Sequence, residues 1–429
     1  MGLDMDRVTS RSDDAEERRD IKDSTGEGEM AIGIDRIGMF VPDQYLDLTD
    51  LATARGVEPS KFTVGIGQSR MSVPRQCDDI VSMGANAIAD ILPEIDVDRL
   101  GLMVVGTESG IDQSKSSSLF IKHLLGLPNR IESFEIKEAC FGGTAGLFVA
   151  YHYVAAHPDR TVLVVASDVA RYGLGTSGEV TQGAGAVAML VSANPGIIAL
   201  DDDSEDYSED INDFWRPNGR TEALVDGKYS MRVYLDFFRH AFDAYCDRRS
   251  LGLDDFGALL FHLPFTKMGV KALRVALEQA DDRNRERLEG NFAMSARYSR
   301  EVGNLYAGSL YLSLLSWLEN PRGDDGDVGD DGVRALAGQR IGLFSYGSGA
   351  MGKFFTGRVQ PGYQRHLRVQ AHARMLNDRR RIDVAEYERL FAAYYGTGDF
   401  ETQIPSSGFY FSGVRHSIRQ YSLADRSEG

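Results

Sequence analysis

The sequence predicts an α/β protein whose reactive side chains sit at the ends of buried strands. Three observations carry that prediction. Apolar segments of strand length alternate with longer segments of helical period from Met30 to about Leu200, and again from Gly257 toward the carboxyl end. Two of the apolar runs, residues 162–166 and 186–191, lack polar alternation and read as central strands buried on both faces. Glu108, Cys140 and His262 each follow a hydrophobic strand, which is where ligands bind in open α/β sheets.

In chain order, residues 1–29 hold the run Asp13-Asp14-Ala15-Glu16-Glu17-Arg18-Arg19-Asp20 and few large apolar side chains. They are expected to form a disordered acidic extension, because they cannot bury enough surface to order. Met30 opens an alternating first strand over residues 31–40, and residues 102–106 form an apolar strand that delivers Glu108. Residues 131–136 read as a short strand and 147–157 as a buried helix, with Cys140 at the junction. Residues 201–250 form a more polar, aromatic region. Residues 258–263 then supply a strand that delivers His262, and the helix after Pro264 carries Lys267, Lys271 and Arg274 at i, i+4 and i+7, on one face. The Asp/Gly-rich run at 323–332 reads as a disordered surface loop, followed by a last apolar strand at 341–346.

Cys140 stands in Lys137-Glu138-Ala139-Cys140-Phe141-Gly142-Gly143-Thr144. Unpaired N–H groups and the positive end of a helix dipole are expected to favour thiolate there. Gly142 and Gly143 are expected to let a substrate approach the backbone. A buried structural cysteine is the alternative for a lone thiol. Singly, Glu108 also fits a solvated loop carboxylate and His262 a satisfied core histidine.

At these residues the chain resembles 3-hydroxy-3-methylglutaryl-CoA synthase of the mevalonate pathway, in its bacterial-type form. The matching stretches are Lys61-Phe62-Thr63-Val64-Gly65-Ile66-Gly67-Gln68, Gly106-Thr107-Glu108-Ser109, and Glu138-Ala139-Cys140-Phe141-Gly142-Gly143-Thr144. Tyr172-Gly173, Thr181-Gln182-Gly183, residues 262–271, Gly303-Asn304-Leu305-Tyr306 and Ser345-Tyr346-Gly347-Ser348-Gly349 continue the series in the family's order. Gly142-Gly143 departs from the paired alanines of some bacterial members.

The resemblance implies a thiolase-like fold, two similar halves in an α-β-α-β-α layered arrangement. Residues 30–200 would form the half with Glu108 and Cys140, and residues 201–429 the half with His262. It implies an acyltransferase in which Cys140 takes acetyl from acetyl-CoA. Glu108 then removes a methyl proton, and His262 holds the oxygen of acetoacetyl-CoA. A carboxylate at its ordinary pKa is a weak base for that proton, so Glu108 is expected to be buried and raised. Lys267, Lys271, Lys61, Asn304, Ser348, Thr181 and Ser230 match positions that bind substrate or coenzyme A; each serine also fits a turn or cap. Asp168 and Asp213 match acidic positions around the active site and also fit strand-end caps. The family reading needs no metal or other cofactor, and it implies a homodimer. Its rivals are a polyketide β-branching synthase acting on a carrier-protein-bound acetoacetyl group, a ketoacyl synthase or thiolase, and a non-catalytic acyl-CoA binder.

Composition bounds these readings. The chain has 429 residues and a net charge of −17, which excludes the basic footprint of a nucleic-acid binder. Coenzyme A is itself anionic, so a local cationic patch is expected, from Lys267, Lys271, Arg274, Lys61 and Arg70. Acid runs at 201–203 and 324–327 read as loop charge, consistent with adaptation to high salt. Cys77, Cys140 and Cys246 are too widely spaced for a disulfide framework or a zinc site. No apolar run of membrane-spanning length and no signal-peptide core are evident, so a soluble cytoplasmic protein is expected. Gly173-Leu174-Gly175-Thr176-Ser177-Gly178 fits GxGxxG, but the strand before it is expected to end near Ala166 and no helix to follow, against dinucleotide binding.

Overall fold

The computed structural model describes residues 30–320 and 336–424. The expected acidic extension at 1–29 and the loop at 323–332 lie outside them. In chain order the main elements are β1 (Ile32–Phe40), α1 (Ile80–Ile91), β2 (Leu100–Gly106), β3 (Glu132–Ile136), α2 (Gly142–Ala156), β4 (Thr161–Ala170) and β5 (Gly183–Ala193). There follow β6 (Ile198–Ser208), α3 (Gly227–Arg249), β7 (Ala258–Phe261), α4 (Thr266–Ala276), α5 (Ser309–Glu319), β8 (Arg340–Gly347) and β9 (Met351–Val359).

The strands form one nine-stranded sheet in the order β7-β8-β9-β6-β1-β5-β4-β2-β3. Its pairing repeats. On one side β2 lies parallel to β4, and β4, β5 and β1 continue antiparallel. On the other side β7 lies parallel to β8, and β8, β9 and β6 continue antiparallel. The two sets join only where Ile32–Ile34 of β1 pair with Ile198–Leu200 of β6. Element for element, β1-α1-β2-α2-β4-β5 corresponds to β6-α3-β7-α5-β8-β9.

Side-chain alternation along the strands builds the layers. Leu102 and Val104 of β2 face the same core as Ala258 and Leu260 of β7, with Leu147 and Ala150 of α2 and Leu314 and Leu315 of α5. Met103 and Val105 point the other way, onto Ile80, Met83 and Ile88 of α1. Leu259 and Phe261 point away onto Phe238 and Phe242 of α3. Helices α2 and α5 therefore fill the centre and α1 and α3 the outer faces. That is the α-β-α-β-α arrangement of a thiolase-like fold.

Several sequence expectations change. Residues 201–250 are regular: β6, a small hairpin (Phe214–Trp215 against Leu224–Val225) and the 23-residue α3. Val233, Tyr234, Phe237, Phe238, Ala241, Phe242 and Tyr245 form a buried stripe of helical period, and Asp226 caps the amino end. Asp201, Asp202 and Asp203 lie in β6 rather than in a loop. Arg248 and Arg249 pair with Asp203, Arg249 with Asp202 and Arg340 with Asp201. These acids are structural partners, which removes them from the case for salt adaptation. The stretch Ala139–Ala156 does reach membrane-spanning length and apolarity, contrary to the expectation. It contains α2, whose apolar character is accounted for by its place in the central layer.

The carboxyl-terminal segment returns to the first half. Strand Arg380–Ile382 pairs with Gln44–Asp47, and Asn86 of α1 exchanges two hydrogen bonds with the backbone of Phe409.

Candidate active site

Glu108 is presented by the turn after β2, and Asp168 in β4 fixes that turn. One Asp168 oxygen accepts from Thr107 Oγ1 (2.7 Å), Glu108 N (2.9 Å), Ser109 N (3.0 Å) and Ser109 Oγ (2.8 Å). The other accepts from Ala307 N at 3.0 Å, tying the turn to the segment before α5. Burial pushes the Glu108 carboxyl up to about 8, and the Asp168 charge adds to the rise. Glu108 is half-buried rather than fully enclosed, and its carboxyl is raised as expected.

Cys140 sits between β3 and α2. Ala139 takes a positive φ of 42°, turning the chain sharply just before the thiol. Cys140 Sγ lies 3.1 Å from Glu108 Oε1. The thiol is driven well above its ordinary value, first by burial and then by the Glu108 charge. The expectation of a favoured thiolate is thus reversed: a helix end acts over one turn, whereas desolvation of the sulfur and the carboxylate beside it stabilise the proton more strongly. The two glycines also have another purpose. A side chain at Gly143 would come within 2.6 Å of the Ala307 carbonyl, and one at Gly142 within 3.2 Å of the Ile136 carbonyl. They allow α2 to start wedged against its neighbours, and neither lines the cavity.

His262 follows β7. Its backbone N–H donates to Phe344 O (2.8 Å) and its carbonyl accepts from Tyr234 OH (2.7 Å), so the backbone is anchored. The ring has no such anchor: Nδ1 is buried without a hydrogen-bond partner among the described residues, and burial lowers the imidazole to about 3. The ring is neutral. Leaving the hydrogen off the orphaned Nδ1 avoids stranding a buried donor, so Nε2 carries it.

Asp213 is fully buried and accepts from Ser230 Oγ (2.9 Å), Tyr346 OH (2.8 Å), Ser348 Oγ (3.0 Å) and Gly349 N (3.2 Å). Asn304 accepts from Tyr306 N and Ser309 Oγ, and Thr181 donates to the Gly178 carbonyl.

Cys140, Thr181, Ser230, His262, Asn304 and Ser348 line a cavity of about 240 Å³, and Glu108 meets it through its contact with Cys140 rather than as part of the wall. Its apolar walls come from Phe214, Tyr234, Phe265 and Met268. Sequence reasoning passed over these walls, although the helical period of the Tyr234 stripe was there to be read. Lys61, Lys267 and Lys271 do not line the cavity; their neighbours Ile66, Phe265 and Met268 do, so the lysines stand outside it. Lys271 Nζ rests 2.6 Å from Met231 Sδ, and Lys267 and Lys61 have no ion-pair partner among the described residues. The GxGxxG stretch meets the cavity wall only at Ser177 and Gly178. Its preceding strand runs to Ala170, further than expected, but a short turn at Glu179–Thr181 and then β5 follow where a dinucleotide site needs a helix.

The hydroxymethylglutaryl-coenzyme A synthase N-terminal family model matches residues 29–196, and the C-terminal model matches 198–295 and 280–393. The chain belongs to the hydroxymethylglutaryl-CoA synthase family. It is 46% identical to hydroxymethylglutaryl-CoA synthase of Enterococcus faecalis over 392 residues, 91% of this chain and all of the relative. A polyketide biosynthesis 3-hydroxy-3-methylglutaryl-ACP synthase of Bacillus subtilis is 32% identical over 84% of this chain and 88% of its own. The crystal structure of an HMG-CoA synthase complexed with CoA superposes with a TM-score of 0.86 at 38% identity, covering 92% of this chain and all of that one. This synthase is an acyl-transferring, condensing enzyme.

Proposed function

We propose that the synthase condenses acetyl-CoA with acetoacetyl-CoA and water to give 3-hydroxy-3-methylglutaryl-CoA and free CoA, through an acetyl group held on Cys140. The observation that carries this reading is the 3.1 Å contact between Cys140 Sγ and Glu108 Oε1 beside a cavity that His262 also lines.

Sulfur attacks the acetyl thioester, CoA leaves as its thiol with the proton that sulfur gives up, and Cys140 carries acetyl. Glu108 takes a proton from the acetyl methyl group, and the resulting enolate carbon bonds to the ketone carbon of acetoacetyl-CoA. His262 Nε2–H donates to the oxygen that becomes alkoxide. That alkoxide takes the proton back from Glu108. Water then cleaves the thioester, releasing the product acid and restoring the thiol. A neutral histidine suits this task because it donates without itself losing a proton.

The cavity hydroxyls of Thr181, Ser230 and Ser348 and the amide of Asn304 face the acyl groups, and Lys267, Lys271 and Lys61 meet the phosphates outside. A homodimer is supported by the free edge of β3: the opposite edge strand, β7, is buried, whereas β3 is partly exposed and leads directly into the Cys140 turn. The widely spaced free thiols accord with a reducing cytoplasm.

The test is steady-state condensation with acetoacetyl-CoA against acetoacetyl loaded on an acyl carrier protein. A higher kcat/KM for the CoA thioester supports the proposal. A preference for the carrier protein would favour polyketide β-branching, and no turnover with either would favour an acyl-CoA binder.

A further inference from the structure

The cavity wall formed by the Phe214–Trp215/Leu224–Val225 hairpin carries an arginine that the reaction scheme leaves without a task. Phe214 and Val225 line the cavity, and Asp213 anchors the entry to the hairpin through Ser230, Tyr346 and Ser348. Trp215 and Pro217 are exposed on either side, yet Arg216 between them is turned partly inward. Pro217 disfavours a helical backbone at Arg216, which keeps the chain extended as it leaves the strand. Arg216 Nη2 donates to the backbone carbonyl of Glu108, 108 residues away in sequence.

Arg216 makes no ion pair with a carboxylate among the described residues, unlike most inward-turned arginines of this chain. Its charge is therefore not cancelled by a dedicated partner. The groups that face Glu108 are Asp168, the Cys140 thiol, Glu138 and Arg216, and the Tyr172 and Tyr306 rings pack at the same place. Two of these neighbours are acids that oppose ionisation of Glu108, and Arg216 is the cation that favours it.

We propose that Arg216 is a positioning residue for the condensation, fastening the cavity wall to the turn that carries Glu108 and keeping that carboxyl available as a base. The proposal rests on Glu108 being the base, as argued above. It explains why a cation is held against a backbone carbonyl in an acidic corner: the bond holds the Glu108 carbonyl while Asp168 holds the Glu108 N–H, and the charge offsets Asp168 and Glu138. Losing a neighbouring opposite charge moves a carboxyl upward, by roughly one to three pH units for a close pair. The base is then less ionised at neutral pH and recovers at higher pH.

The experiment is a pH profile of condensation by full-length enzyme already acetylated on Cys140, chased with acetoacetyl-CoA, for wild type, Arg216→Gln, Arg216→Lys and Glu108→Gln. For Arg216→Gln the acidic limb should move up by about one pH unit, so that the rate falls about tenfold at pH 7 and returns toward wild type near pH 9. KM for acetoacetyl-CoA should change little, and Arg216→Lys should bring the limb back toward its wild-type position. A limb that stays in place while the rate falls equally at every pH would overturn the proposal, as would equal defects in the Gln and Lys variants. Glu108→Gln separates the two levels of the argument. If it condenses normally, the assignment of the base fails; if it is inactive while the Arg216→Gln limb is unmoved, only the role of Arg216 fails.

Discussion

Glu108 and His262 occupy corresponding places in the two halves of the fold: Glu108 follows β2, His262 follows β7, and each of those strands pairs in parallel with its half's next central strand. Burial acts on both and drives each toward its neutral form, the carboxyl up to about 8 and the imidazole down to about 3. One scaffold position, used twice, supplies a base poised near neutral pH and a donor that does not titrate there.

Glu108→Gln should separate the two half-reactions. Glutamine keeps the shape but cannot take the methyl proton, so condensation should fall by roughly 10²- to 10⁴-fold. Acetylation of Cys140 should survive, because the Glu108 charge holds the thiol proton on and its removal eases thiolate formation. Quenched-flow assays of each step check this; loss of acetylation with condensation intact would reverse the assignment.

The pH profile of condensation should reflect Glu108 alone. A base must be ionised to act, and its pKa is raised, so the rate should climb with pH and level off above about 8. No second inflection from His262 should appear between pH 5 and 8. His262→Ala should cost on the order of 10²-fold in condensation, and His262→Gln, which keeps a donor near Nε2, distinctly less.

What the sequence made legible was the continuous apolar strands and the polar residue at the end of each, which is why Glu108, Cys140 and His262 could be placed together. Helix α3 is obscured in the sequence because its stripe of aromatics is interleaved with Arg, Asp and Lys, so the segment reads as polar before its period shows. The state of Cys140 is not legible in the sequence, because the helix end is visible locally whereas burial and the nearness of Glu108 arise from tertiary packing. The local sequence marks Lys61, Lys267 and Lys271 as cations, but that they do not line the cavity follows from tertiary packing, such as the bond from Thr266 at the start of α4 to the Gly67 carbonyl.

Lys267 should serve binding of coenzyme A rather than chemistry. Lys267→Ala should raise KM for acetyl-CoA with little change in kcat, the mark of lost uniform binding, and the effect should shrink in high salt. Lys271→Ala should do less, since its amine already rests against Met231. Unchanged KM values for both would place them on an ordinary solvated face.

A buried ion cluster should tie stability to pH. His372 is fully buried, with Nδ1 2.8 Å from Glu319 and Nε2 2.8 Å from Asp90, while Arg368 also meets Asp90. Burial alone would lower His372, but those hydrogen bonds carry it up to about 9. A histidine raised when folded stabilises fully below its unfolded value near 6.5, and this is lost as pH rises through about 9. The contribution is on the order of 3 kcal/mol. Thermal melts from pH 6 to 10 should fall in that window for wild type and much less for His372→Gln, whose Tm at pH 6 should already be lower.

The central claim is that Cys140 carries the acetyl group that is condensed, and mass spectrometry tests it most directly. Enzyme incubated with acetyl-CoA should gain one acetyl group, mapped to the peptide containing Cys140 and absent from Cys140→Ser. Addition of acetoacetyl-CoA should discharge it with formation of 3-hydroxy-3-methylglutaryl-CoA. Acetylation at Cys77 or Cys246, or an acetyl-Cys140 that acetoacetyl-CoA does not discharge, would contradict the account.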